Sequence, residues 1–118
     1  MLETDQKVVE ELTRLSARLV LVSESDYPLT IINWPGEIEV NADYLRGLTD
    51  ESRECSVEQM SLEQLFADGR FEGLTNSLRR HLQNVKAYKV GTINMPVYIV
   101  GKGPEGNWLG VSSRIVQT

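Results

Sequence analysis

The 118-residue sequence contains a single cysteine and a single histidine, so several kinds of site are excluded. Cys55 alone forms neither an internal disulfide nor a C-x-x-C metal or redox motif. His81 has no second histidine or cysteine with which to share a metal, and we interpret it as a solvated helical residue. The G-x-S-x-G, P-loop, G-x-G-x-x-G and H-E-x-x-H patterns are also missing from the sequence. These absences favour a protein that is not an enzyme and has no cofactor.

The sequence also lacks a long apolar run and an excess of positive charge. Residues 1–20 are interrupted by Glu10, Glu11, Arg14 and Arg18. This pattern excludes a signal peptide and a membrane span there, so we expect a cytoplasmic protein with no membrane partner. Twelve Lys and Arg against 17 Asp and Glu give a formal net charge of -5, which disfavours direct binding to nucleic acid phosphates. The same charge attracts a basic protein partner.

The length and composition are typical of one small globular domain. At 118 residues and 41% hydrophobic, the chain can bury one ordinary core. Charged residues make up 25% of the chain, and we find no repeat and no Pro/Gly/Ser-rich linker. We therefore predict a monomeric single domain that spans residues 1–118.

Apolar residues at helical spacing predict two amphipathic helices. The first, of about four turns, is marked by Val8, Leu12, Leu15 and Leu19. The second is marked by Phe71, Leu74, Leu78, Leu82 and Val85, with Arg79 and Arg80 on its solvent side. Two short helices follow from capping patterns, one after Asn41 and one that begins at the capping box Ser61-Leu62-Glu63-Gln64.

Strand patterns occur on both sides of these helices. We predict strands at residues 29–34, 54–60, 87–90, 97–100 and 107–116. Residues 97–100 are apolar on both faces, so this strand is expected to be central and covered on both sides. Short turns such as residues 103–106 favour antiparallel pairing. The predicted fold is α+β, a three-layer α/β/α sandwich with a mainly antiparallel sheet.

Two acidic residues and the last residue are candidate binding groups. Glu24 and Asp26 flank Ser25 and can act as an acid/base pair, as solvated turn residues, or as partners for basic side chains. Thr118 follows directly from the last predicted strand. It either simply ends the chain or presents a positioned carboxylate and hydroxyl as ligands. Trp34 lies at the end of a strand, where its ring packs at the edge of the core or at an interface.

Several of these stretches resemble the nuclease A inhibitor family of bacteria. The similarity is concentrated in residues 23–28, 97–101, 104–113 and 116–118. The resemblance implies an α/β/α sandwich that binds and blocks a sugar-non-specific, magnesium-dependent endonuclease. It also implies that Thr118 approaches the magnesium of the partner nuclease and that Glu24 contacts its basic cleft. Family members have a longer middle region with an acidic loop that contacts the nuclease, whereas here residues 65–72 pass directly into the next helix.

Three hypotheses follow. In the first, the protein inhibits such an endonuclease through Thr118 and Glu24, with support from Asp26 and Trp34. In the second, the same fold serves as a non-catalytic protein-interaction or ligand-binding regulatory module, which the short middle region favours. In the third, Glu24 and Asp26 form the acid/base pair of a small hydrolase.

Overall fold

Helices and strands are interspersed along the chain in the computed structural model, which describes residues 4–17, 19–22, 26–48, 56–66, 69–91 and 94–116. The helices are α1 (Asp5–Ser16), α2 (Ala42–Gly47), α3 (Leu62–Leu65) and α4 (Glu72–His81), and a 3-10 turn at Gly69–Phe71 precedes α4. The strands are β1 (Val20–Val22), β2 (Asp26–Pro28), β3 (Thr30–Trp34), β4 (Val57–Met60), β5 (Gln83–Val90), β6 (Asn94–Lys102) and β7 (Trp108–Val116). The predicted α+β fold class is confirmed.

Five of the strands form one antiparallel sheet in the order β3-β7-β6-β5-β4. The central strand is β6, as its apolar pattern predicts, and Val97, Ile99 and Val100 on it are at most 2% exposed. The remaining two strands, β1 and β2, pair with each other as a separate antiparallel hairpin. This hairpin directly precedes the edge strand β3, with only Leu29 between them.

One face of the sheet packs against the longer helices. Residues that point to this face along β5, β6 and β7 join one buried cluster with α1 and α4: Val8, Leu12, Leu74, Leu78, Ala87, Val97, Ile99, Leu109 and Val111. The apolar residues whose spacing predicts α1 therefore form the buried face of that helix. Burial of these apolar side chains is the main stabilising contribution of the fold.

The other face of the sheet contacts the segment that follows β3. The Trp34 ring lies 5.3 Å from the Tyr44 ring of α2 in an edge-to-face arrangement and 6.0 Å from the Tyr98 ring of β6. Trp108 donates an indole hydrogen bond of 2.7 Å to the Ile38 carbonyl. The neighbouring Leu45 is fully buried. The complete α/β/α layering stays a prediction.

Local capping signals predict the short helices well. The Asn41 side chain accepts a 2.9 Å hydrogen bond from the Tyr44 amide at the start of α2. At α3, Ser61 and Gln64 form the predicted capping box with bonds of 3.1 and 3.3 Å. The helix itself is a single turn that ends at Leu65.

Two expectations from helical spacing are wrong, and so is the expectation that His81 is solvated. The α4 helix ends at His81 because Leu82 is extended, and Val85 lies in β5 although its side chain still packs against the core. The α1 helix likewise ends at Ser16, before Leu19. His81 is not solvated. Its side chain is only 12% exposed, since it lies against the carboxylate of Glu11 on α1.

Candidate functional site

The loop that contains Glu24 connects the two strands of the hairpin. Val22 at the end of β1 lies opposite Asp26 at the start of β2, and residues 23–25 join them. Glu24 itself lies outside the described residues. Leu19 before β1 and Leu29 after β2 both pack against the buried cluster, so the two ends of the hairpin are attached to the core.

The C-terminal strand contacts this hairpin through one side chain. The Ser113 hydroxyl on β7 lies 3.2 Å from the Tyr27 carbonyl oxygen and 3.1 Å from the Pro28 carbonyl oxygen, and it donates to them. Beyond Ser113, β7 continues to Val116. Thr118 follows two residues later and lies outside the described residues.

The register of β3 and β7 fixes the direction of both segments. Thr30 at the start of β3 lies opposite Ser112 of β7, and the two strands are antiparallel. The hairpin precedes Thr30 in the chain, and residues 113–116 follow Ser112. Because antiparallel strands run in opposite senses, the hairpin and the last part of β7 extend from the same end of the sheet. We call this the hairpin end of the sheet.

Trp34 lies at the other end of β3, opposite Trp108 in the register. It is four residues from Thr30, or roughly 13 Å along an extended strand. There it contacts Tyr44 and Tyr98, and its side chain is half-buried. The structure therefore brings Asp26, at the start of β2, to the hairpin end of the sheet and does not bring Trp34 there.

The opposite end of the sheet is held by a network of hydrogen bonds between α1 and the turn from β6 to β7. The Asp5 carboxylate accepts bonds of 2.9 Å from the Glu105 amide and 3.3 Å from the Asn107 amide. In return, the Asp5 amide donates a 2.8 Å bond to the Glu105 carboxylate. The approach is so close that a Cβ on Gly103 would lie 2.4 Å from an Asp5 oxygen.

Lys102 completes this network. Its ammonium group donates to the carbonyls of Gly36 at 2.7 Å and Gly106 at 3.0 Å, and it lies 4.4 Å from the centre of the Trp108 ring. The turn after β3 is thus attached to the turn before β7. We call the set Asp5, Lys102, Glu105 and Asn107 the turn network.

Sequence reasoning missed the turn network and Ser113. Asp5 follows the capping residue Thr4 and is recognisable as a first-turn acid. Its partners, however, are about 100 residues away, and no local pattern encodes such a contact.

Glu11, Ser77 and His81 form a polar contact between α1 and α4. The Glu11 carboxylate accepts a 2.5 Å bond from the Ser77 hydroxyl and lies 3.0 Å from Nε2 of His81. The Ser77 hydrogen bond, together with the charges of His81 and Arg14, lowers the pKa of Glu11 despite an opposing contribution from burial. This contact joins α1 to α4, so we assign it to stability.

The described residues contain no group of three or more His, Cys, Asp or Glu side chains that could hold a metal ion. Over the same ranges, no helix is long and apolar enough to cross a bilayer. A cavity of about 200 Å³ lies beside Trp108 and is lined by Val40, Asn84, Lys86, Tyr88, Val100 and Trp108. Trp34, the predicted site residue whose side chain is described, does not line it.

Comparison with known proteins identifies one family. A family model described as nuclease A inhibitor-like protein matches residues 6–70 and 67–118. The two matched segments overlap at residues 67–70. No curated protein matches the sequence well enough to count as a relative.

Proposed function

The chain belongs to the nuclease A inhibitor-like protein family, and from this premise we propose that it binds and blocks the active site of a magnesium-dependent, non-specific DNA/RNA endonuclease. Family membership implies a nuclease-inhibitor role with a nuclease as protein partner. The finer mechanism that we propose uses the loop that contains Glu24 together with Thr118. It assigns these contacts to one domain, residues 1–118, that acts as a monomer in the bacterial cytoplasm.

The observation that carries this mechanism is the common direction of the hairpin and β7. Thr118 lies six residues beyond Ser112 in the chain, and Glu24 lies six residues before its partner Thr30. Both candidates are also only two residues from a described strand, since Glu24 follows Val22 and Thr118 follows Val116. This geometry supports a single binding surface at the hairpin end of the sheet.

The chemistry of the two groups suits the active site of such a nuclease. Magnesium prefers oxygen ligands and retains exchangeable water, so a carboxylate and a hydroxyl at Thr118 are suitable ligands from an inhibitor. The Glu24 carboxylate can pair with an arginine or lysine that otherwise holds phosphate. Together the two groups imitate the charge of a nucleic acid substrate. The net charge of -5 adds long-range attraction to a basic cleft.

Asp26 and Trp34 have supporting parts in this proposal. Asp26 begins β2 and is paired with Val22, so it is the nearest described carboxylate residue in the chain to Glu24. We propose it as a second acidic contact. Trp34 is at the other end of β3, so any support it gives to the surface passes through that strand.

The experiment that tests the proposal is cleavage of plasmid DNA by a purified magnesium-dependent non-specific endonuclease at increasing inhibitor concentrations. Stoichiometric protection is expected from the wild type. One residue added after Thr118, or the substitution Glu24→Ala, should weaken inhibition by about 2 to 4 kcal/mol, as expected for loss of a buried charged contact. Equal inhibition by both variants and the wild type would exclude this mechanism.

Two controls match these changes. Glu37→Ala removes the same charge from an exposed residue that follows β3 at the opposite end of the sheet, so it should leave inhibition unchanged. One residue added before Met1 lengthens the chain by the same amount. It precedes α1, whose first residue belongs to the turn network at the opposite end of the sheet, so it controls for chain length alone. If Glu37→Ala weakens inhibition as much as Glu24→Ala does, net charge rather than a specific contact explains the effect.

A second candidate function is a non-catalytic interaction or ligand-binding module on the same fold. The middle region of the sequence, residues 65–72, favours it, because it lacks the longer acidic loop that the family resemblance leads one to expect. Failure of the protein to protect DNA from several non-specific nucleases, with a different protein captured reproducibly from the source cell, would favour this module over the inhibitor.

A further inference from the structure

Ser113 is the one described side chain with a hydrogen bond from the sheet to the backbone of the Glu24 hairpin. Its hydroxyl lies within 3.2 Å of two successive carbonyl oxygens, those of Tyr27 and Pro28. Ser113 is also only five residues before Thr118 in the chain. A single hydroxyl therefore joins the two segments that the proposed function requires to act together.

The backbone explains why a side chain makes this connection. The β3–β7 ladder begins at Thr30, and Pro28 has no amide hydrogen with which to extend it. The β2 strand instead pairs with β1. A carbonyl of β2 that points towards β7 is then satisfied by a side-chain donor, which the Ser113 hydroxyl supplies.

We propose that Ser113 is a positioning residue that docks the Glu24 hairpin onto the C-terminal strand, so that the loop and Thr118 are presented to a nuclease as one surface. The inference rests on the proposed function for its consequence in binding. Its structural part, docking of the hairpin, is independent of any partner. Apolar contacts of Leu19 and Leu29 hold the two ends of the hairpin, but apolar contacts are not directional, whereas the hydroxyl selects a particular position of β2.

The first test measures docking in the free protein by amide hydrogen exchange. Ser113→Ala should increase exchange of amides in β1 and β2 by about three- to tenfold, the range expected for loss of one hydrogen bond. Exchange in β5 and β6 should not change. Ser113→Thr retains the hydroxyl on a residue that suits a strand, so it should restore protection.

A matched control is Ser112→Ala, because Ser112 is the adjacent serine and its side chain points to the other face of β7. It should leave exchange in the hairpin at the wild-type level. If Ser113→Ala and Ser112→Ala behave alike, the docking role is excluded.

The second test measures coupling between Ser113 and Glu24 in nuclease inhibition. Ser113→Ala should raise the inhibition constant about three- to tenfold in the wild type but have little further effect when Glu24 is already alanine. A substitution that is merely destabilising would raise the inhibition constant by the same factor in both backgrounds, or would leave it unchanged while the protein stays folded. Either result would overturn the positioning role. Increased hairpin exchange in a protein that inhibits no nuclease would support docking and count against the proposed function.

Discussion

Replacement of Asp5 by alanine should separate the stability of the fold from its binding activity. Asp5 is 4% exposed, and its carboxylate accepts two backbone hydrogen bonds from the turn between β6 and β7. Hydrogen bonds to a charged group contribute about 1.5 to 3 kcal/mol each. The bond from Asn107 is long, at 3.3 Å, and Glu105 is exposed, so water can partly replace the lost acceptor. We therefore expect Asp5→Ala to lower the free energy of unfolding by about 3 kcal/mol.

The assay is urea denaturation followed by tryptophan fluorescence and circular dichroism. For 118 residues a loss of this size corresponds to a decrease of roughly 10 °C in the melting temperature. Asp5→Asn keeps one acceptor but turns an amide donor towards the second amide, so it should cost about half as much. Glu105→Ala is the matched control from the same network: it removes one exposed acceptor and should cost about 0.5 to 1 kcal/mol.

Two results would refute this reasoning. A loss below about 1 kcal/mol for Asp5→Ala would mean that water satisfies the released amides and that the turn network contributes little. A large loss for Glu105→Ala, equal to that for Asp5→Ala, would mean that the network depends on the exposed carboxylate instead. Inhibition per folded molecule should be unchanged in each variant, because the turn network and the hairpin end lie at opposite ends of the nine-residue strand β7.

Two further predictions concern stability. The pKa of Glu11 in the folded state is lowered from its ordinary value of 4.5. Its contribution to the free energy of unfolding is therefore complete above pH 4.5 and is lost as the pH falls through the pKa of the folded state. Ser77→Ala should raise this pKa and reduce the acid-dependent part of the stability, as measured by NMR titration and urea unfolding between pH 2 and 7; an unchanged titration would contradict it. Gly110→Ala would place a Cβ 1.7 Å from the Ile99 carbonyl oxygen and should cost about 3 kcal/mol or more. A Cβ at Gly47 in α2 meets only open space, so Gly47→Ala should raise the free energy of unfolding by about 0.5 to 1 kcal/mol. Equal effects of the two substitutions on thermal unfolding would contradict this interpretation.

Local signals explain which parts of the fold can be predicted from the sequence. Asn41 and Ser61 cap their helices through residues only three positions away, so the pattern and the structure agree. The apolar run of β6 likewise indicates a strand covered on both sides. Val85 shows the limit of such patterns. It continues the helical spacing of α4 but lies in β5. The spacing does not distinguish the two elements here, because a valine in either one packs against the same core.

Long-range contacts explain the part that the sequence does not reveal. Asp5 meets Glu105 across 100 residues, and Ser113 meets Tyr27 across 86. Each of these is a polar residue whose local context resembles an ordinary helix start or strand. Their partners become adjacent only after the sheet order β3-β7-β6 is established. The family resemblance draws attention to Glu24 and Thr118, but it does not identify the residue that joins their segments.

The arrangement of the two sheet ends gives a physical reason why a small acidic protein can bind through so few groups. Binding is weakened by the entropy lost when flexible contacts become ordered, so contacts that are already positioned give higher affinity. Val22 and Val116, the last described residues before the two proposed contacts, belong to β1 and β7, and Ser113 of β7 bonds to β2, the partner strand of β1. At the other end, the turn network holds α1 and the turns against the sheet. If this division is correct, Asp5→Ala will change the free energy of unfolding without changing the inhibition constant, and Ser113→Ala will raise the inhibition constant with a smaller change in stability.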